Sequence, residues 1–488
     1  MRVRTLVALL MLSLPAAAAA PDWVEMAGST QAKVPPPRLA LEDPKSYLTF
    51  HKNAAESRVD WQADLLKGLA QAKAENRPVF VTMRCLPCRA CSDFDKGVLE
   101  GGQDLDPLLL RFVTVRLTSV KDVDMRLLPM ESMQDLDTSW WGWFLSPEGK
   151  VYGVFGGRDA SGDAGRTSKA ALIATLKRVL DHHYDPRRPA WDIDGPSPVT
   201  AGAPKTPVDL PGFNNWLARG RHQEHLQRDG CIHCHQVQEI LHQGAIDAKT
   251  FDKTKDLDVW PLPENAGFSL ERDDGLKVNK VREGSAAAQA GLKVGDVLIG
   301  AIPAPVAASP AGGAASAALR TGPRRFFSQA DVRAALHRLP MTGPAHVQLV
   351  YTRDGQIGKA NLALADGWRK GNSNWRISLS EGVIGAFPGF WANDGARFRK
   401  ERNIPADSMA VVPFFPSGPK VIDNDRGPAW AAGLRGNDVI TAVNGQSPNL
   451  AGRPWIIWFR LNHEAGQEIK LDVVDAKGAK RQVTYTAK

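Results

Sequence analysis

DWQADLLKGLAQAKAENRPVFVTMRCLPCRACSDFDKGVLE, residues 60–100, changes its hydrophobic period twice. Leu65, Leu66, Leu69 and Ala72 recur at the spacing of one helical face. Asn76-Arg77-Pro78 is a turn, and Val79 to Met83 is a short run rich in β-formers, hence a buried strand. Cys85-Leu86-Pro87-Cys88 then opens a second helical stretch. Helix, strand, dithiol and helix in this order make the region α/β.

The position of the dithiol determines its chemistry. A thiolate at a helix N-terminus meets roughly half a unit of positive charge and unpaired backbone N–H groups. Arg84 and Arg89 add positive potential, so the thiolate fraction rises. Cys85 is then the attacking thiol and Cys88, one turn on and more sheltered, the resolving thiol. Cys91 lies on the same helix face, as an auxiliary resolving thiol or as a buried small hydrophobe. Cys-x-x-Cys-x-x-Cys also admits a metal, although a strand-then-helix context suits redox chemistry better.

The pattern resembles the thioredoxin fold, most closely the exported thioredoxin-like domains. FVTVRLTS (112–119) fits the later strand of such a domain, and WFLSPEGKVYGVFGGRD (143–159) its terminal hairpin, turning on Pro147-Glu148-Gly149. The resemblance implies a thioredoxin-like domain over 46–190. It also implies a proline opposite the dithiol, but the usual spacing back from Gly149 lands on Trp141.

The remainder of the 488 residues exceeds one core and divides into further domains. MRVRTLVALLMLSLPAAAAA (1–20) has Arg2 and Arg4, an apolar run from Leu6 to Leu14 and then small residues, as a secretory signal peptide does. No cysteine follows to anchor a lipoprotein, and no later run suffices for a membrane span. The chain is expected to be soluble after cleavage and periplasmic or otherwise exported, where disulfides persist. Residues 21–45 form a Pro/Ala-rich tether, and 191–211, containing PSPVTAGAPKTPVDLP (196–211), form a linker. The net charge of +8 is spread along the chain, so a nucleic-acid partner is not expected.

Residues 212–262 form a short helical module around RDGCIHCHQV (228–237). Cys231, Cys234 and His235 are spaced Cys-x-x-Cys-His, which suits two thioethers to haem c and a histidine on its iron. Five of the 11 histidines lie between positions 222 and 242. The segment has no methionine, so His222, His225 or His242 is the candidate second axial ligand. Zinc held by Cys231, Cys234, His235 and one of those histidines is an alternative cofactor. A second dithiol exchanging with Cys85 and Cys88 is another.

An internal repeat organises the rest. AGLKVGDVL (290–298) returns as AGLRGNDVI (432–440), each copy after a stretch of small residues. Asn444-Gly445 signals a hairpin turn in the second copy. The first copy carries a low-complexity loop there, then FFSQADVRAALHRLP (326–340), with Ser328 as N-cap and Val332, Leu336 and Leu339 at helical spacing. Both copies resemble PDZ domains of the bacterial envelope type, giving PDZ-like β-rich domains over 263–368 and 369–488. AGFSLER (266–272) resembles the PDZ carboxylate-binding loop, which implies capture of a protein or peptide C-terminus at Gly267 and Phe268. GNSNW (371–375) lacks the context of a serine-protease nucleophile.

The whole chain resembles exported proteins and selenoproteins that join a thioredoxin-like domain to PDZ with a CxxCH segment between. The expected architecture is multidomain, α/β plus mainly β. The expected function is thiol–disulfide oxidoreductase with a c-type haem site, PDZ peptide-binding domains and a redox partner protein. The alternatives are a haem electron-transfer protein and a non-catalytic PDZ scaffold of the envelope.

Overall fold

A computed structural model describes residues 59–83, 93–99, 104–138, 140–162, 165–191, 194–195, 204–219, 226, 232–303, 323–415 and 426–487. The fold is mixed α/β, with three larger sheets and a two-stranded one.

The first sheet has the order β1-β3-β2-β4-β5, with β1 Trp61–Gln62, β2 Val79–Met83, β3 Val113–Leu117, β4 Trp141–Leu145 and β5 Val151–Gly156. β1 and β2 run parallel to β3, and β4 and β5 are antiparallel additions. β2 is therefore central, and all five of its residues are buried. Helix α1 (Leu65–Glu75) precedes it. Asp64 caps α1 by accepting from Leu66 N at 2.9 Å, and Asn76 ends it at φ 49°. The inward face of α1 departs from expectation. Leu66 is 65% exposed, and Leu65, Gly68 and Ala72 face inward. A Cβ at Gly68 would come within 2.6 Å of Val115, so only glycine lets α1 lie this close to β3.

Each face of this sheet is covered. On one, Phe80 stacks on Phe144 at 5.0 Å and packs with Leu109 of α2 (Asp106–Leu109) and with Leu172, Leu176 and Leu180 of α3 (Lys169–His183). On the other, Val79, Val81, Met83, Trp141 and Trp143 share one core with Trp216 of α4 (Phe213–Leu217) and with Cys234, Val237 and Ile240 of α5 (Cys234–Asp247). The described part of the 212–262 module is thus built into the core of the first sheet.

The two copies of the repeat form different sheets around a common turn. Copy one has the short helices α6 (Pro263–Ala266) and α7 (Ala286–Gln289), β6 (Phe268–Leu270) paired with β7 (Val278–Val281), and a sheet β11-β10-β8-β9 from β8 Val297–Pro303, β9 Arg324–Arg325, β10 Ala345–Arg353 and β11 Gln356–Leu364. Copy two forms one sheet, β12-β13-β14-β15-β16, from Trp391–Asp394, Val411–Phe414, Val439–Val443, Glu468–Val474 and Lys480–Thr486. The repeated aspartates explain the sequence match. Asp296 accepts from Lys293 N at 2.7 Å and pairs with Arg353; Asp438 accepts from Arg435 N at 2.8 Å and pairs with Arg481. Each closes the turn that feeds the next strand. Asn444 and Gly445, at φ 48° and 76°, form the expected turn.

Helix α8 (Gln329–His337) joins copy one to the first sheet. Ser328 caps it as expected, accepting from Ala330 N at 3.0 Å. Asp331 accepts from Phe327 N, Ser328 N and also Val154 N on edge strand β5. Among the described residues no helix is long and apolar enough to cross a membrane.

Candidate thiol and histidine site

His233 precedes the first turn of α5, and its N–H donates to Gln236 Oε1 at 2.8 Å. Ile232, fully buried, pins the entering chain, so Cys234 falls at the first helical position. Its Sγ accepts a hydrogen bond from Trp141 Nε1 at 3.2 Å. Trp141 is the first residue of β4 and has no exposed surface; Cys234 is 5% exposed. A thiol at this place faces the positive end of a 14-residue helix and an indole N–H inside an apolar core.

One residue on, His235 points its Nδ1 at Glu239 Oε1, 3.1 Å away. The other oxygen of Glu239 accepts from Trp216 Nε1 at 2.9 Å. Burial pulls the His235 pKa down, but the hydrogen bond and charge of Glu239, aided by Glu381 and Asp137, outweigh it and hold the imidazole above its usual range. The rings of His233 and His235 stack at 5.5 Å, 6° from parallel.

His242 lies two turns along the same helix, about 10 Å of rise from His235, and its Nε2 meets the Gln238 side chain at 3.0 Å. Burial lowers its pKa. The helix therefore separates these two imidazoles. Cys85, Cys88, Cys91, Cys231, His222 and His225 lie outside the described residues. Among the described residues no group of three or more His, Cys, Asp and Glu side chains is placed to hold a metal ion.

The donor set suits haem in one half. A metal-ligating histidine commonly gives its second nitrogen to a carboxylate, and Glu239 takes Nδ1 here, leaving Nε2 for an iron. In the other half, the Cys234 sulfur sits on the indole of Trp141 within the sheet core.

In copy one, Gly267 (φ 96°) ends the short helix α6 (Pro263–Ala266), and its N–H donates to Glu264 O at 3.1 Å. Its carbonyl accepts from Arg282 N at 2.8 Å. Phe268 opens β6 and is 2% exposed, within the core of the copy.

Trp141, Trp216 and Glu239 escaped the sequence reading as site residues. Glu239 had a signal, since it follows His235 by four positions on a helix. Trp141 had a fainter one, as the residue found where a proline was expected. No family model matches the chain, and no curated protein matches it either.

Proposed function

We propose that this protein is a thiol–disulfide oxidoreductase of the thioredoxin-like kind, with Cys85 as nucleophile and Cys88 as resolver. The observation that carries the reading is the place of β2. It is the central strand of a sheet with helices on both faces, and the chain leaves its C-terminal end directly into Arg84-Cys85-Leu86-Pro87-Cys88. In open α/β sheets the functional crevice lies outside the carboxyl ends of the strands. The helix–strand–dithiol order and the β4–β5 hairpin support the same reading. PDZ-like domains in the two repeat copies would bring protein C-termini to the enzyme, and export would supply an oxidising compartment. Replacing Cys85 by Ser is expected to abolish reduction of a model protein disulfide by the full chain. Undiminished turnover in that variant would sink the assignment.

The His235–Glu239 pair favours a second reading, in which haem is attached at Cys231 and Cys234 and ligated by His235. Bound there, haem would supply one-electron transfer. Glu239 would fix the ring and make the imidazole more basic. An absorbance spectrum of protein produced with haem maturation decides between the readings, because this second one requires a Soret band.

A further inference from the structure

We propose that His182 is an acid-sensitive latch between the first sheet and copy one: neutral, it holds Arg325 of β9 against α3, and protonated, it releases β9. None of the groups involved belongs to the thiol and histidine site above.

The latch uses both nitrogens of one ring. His182 is the penultimate residue of α3 and is 1% exposed. Its Nε2 meets Asp194 Oδ1 at 2.8 Å, and its Nδ1 meets Arg325 Nη1 at 3.3 Å. A guanidinium can only donate, so Nδ1 is the acceptor, and Nε2 carries the hydrogen that Asp194 accepts. Only the neutral ring satisfies both partners. A proton added at Nδ1 sets an N–H and a second positive charge against the guanidinium. Asp194 keeps its hydrogen bond, so the contact that gives way is the one to Arg325.

Arg325 has little else to hold it to α3. Its strand is two residues long and pairs with β8 at Gly300 and Ala301. Among the described residues its side chain makes no ion pair, and it lies over the rings of Trp191 and Phe327 at 5.6 and 5.8 Å. Burial pulls its pKa down, to about 10, which leaves it charged wherever His182 titrates. Trp191 stacks on His182 at 5.6 Å and packs with Val350 of β10, so the same ring also braces the sheet of copy one.

The other titratable and charged groups around His182 and Arg325 are Asp181 and His183 on α3, Tyr152 on β5, and Asp185, Arg187 and Arg188 in the chain after α3. Burial holds the His182 imidazole below its usual range, against the hydrogen bond and charge of Asp194, and Arg325 pushes the same way as burial. Asp194 does not take the proton instead. Burial pushes its carboxyl up, but the hydrogen bond and charge of His182, with Arg188 and Lys150, outweigh this and keep it below the usual range. A base with a lowered folded pKa binds its proton more readily once opened. The latch is therefore full above about pH 6.5, the ordinary histidine value, and is lost as pH falls below it. Asp331, which binds Phe327 N and Ser328 N beside β9, works the other way. Burial raises its carboxyl to about 6, so acid favours the folded state there.

Hydrogen–deuterium exchange of the full chain tests the latch. The Phe326 N–H donates to Ile299 O at 3.0 Å and reports whether β9 is in place. Corrected for intrinsic rate, exchange over 324–327 is expected to be about tenfold faster one pH unit below the ordinary histidine value than one unit above it, with the β10–β11 hairpin unchanged. His182→Gln keeps an N–H for Asp194 and an oxygen for Arg325 but cannot gain a proton, so it should remove the response. Arg325→Gln removes the opposing charge and should do the same, which keeps the test decisive where the histidine variant fails to fold. His183→Gln should leave the response intact. Equal protection at both pH values in the unaltered chain would overturn the proposal. So would a response that survives His182→Gln or Arg325→Gln, or one that His183→Gln alone abolishes. Acid exchange that rises equally in all the sheets would overturn it too, because that is global unfolding and not the release of one strand.

Discussion

Glu239 has no exposed side-chain surface, and its two oxygens accept from Trp216 and His235. Removing the carboxylate leaves an indole N–H and a ring nitrogen to find new partners in a packed core. Glu239→Ala should therefore cost about 2–4 kcal/mol of stability, the range for orphaning buried groups that faced a charge. Glu239→Gln keeps an oxygen for Trp216 and offers an amide N–H to His235, which can take the accepting tautomer. It should cost about 1 kcal/mol. Urea midpoints of the two variants check this, and equal losses would show that the carboxylate's hydrogen bonds do not hold the site. His235 was legible at this scale because Cys-x-x-Cys-His is a local pattern. Glu239 was only half legible: its spacing from His235 is local, but a glutamate in a helix is most often solvated and only tertiary packing buries this one.

At the scale of elements, the helix–strand alternation of 60–83 and the 143–159 hairpin could be read from period and turn residues, since both are set by neighbours in sequence. The inward face of α1 was misjudged at Leu66, because apolar residues outnumber the places the sheet can cover. The role of α8 was half legible. Ser328 three residues before an acidic side chain marks a capping box, but nothing local says that the same carboxylate also binds the edge of another sheet. Gly153 on β5 makes that approach possible, since a Cβ there would lie 2.9 Å from the Asp331 carboxylate. Loss of an ordinary N-terminal cap costs about 1 kcal/mol. Asp331→Ala also strips Val154 N–H of its acceptor at a buried position. The expected cost is about 2–4 kcal/mol, seen as a lower denaturant midpoint with an unchanged slope. A loss of about 1 kcal/mol or less, no more than the cap alone, would mean that the Asp331–Val154 contact does not hold α8 to β5, and that apolar packing and the Ser328 Oγ bond to Val154 O do.

The whole molecule differs most from its sequence reading in how its parts meet. Proline-rich linkers and a repeat suggest separate beads, yet a buried polar junction ties three regions together. Asp135 and Asp137 of the first region face Arg333 of α8 and Arg376, which precedes α9 (Ile377–Glu381). Arg376 Nη1 donates to Asp135 at 3.0 Å and to Asp137 at 3.1 Å, and its Nη2 donates to Val259 O at 2.8 Å. Asp137 also accepts from Ser378 N at 2.8 Å and Ser378 Oγ at 2.7 Å. Burial alone would weaken the Arg376 cation, but the two aspartates more than offset it and raise its pKa. Such pairs are not legible locally, because they join positions roughly 200 residues or more apart and a charge in a loop reads as solvated. Replacing the pair by apolar residues could be neutral, whereas removing one partner strands a buried charge, at about 3–5 kcal/mol. Asp137→Ala leaves Arg376 with one carboxylate, Asp135, beside its backbone acceptors and takes the acceptor from both Ser378 donors. The Asp137 side chain is held by Arg376 and Ser378, which lie outside the first sheet. The cost should therefore fall on the junction rather than on any one core, and the second repeat copy should come loose before the cores melt. Calorimetry should show an added earlier transition, and trypsin should cut at Arg369, Lys370 or Arg376 under conditions where the unaltered chain resists. An unchanged calorimetric profile with unchanged cleavage would mean that apolar packing, and not this junction, fixes how the regions sit together.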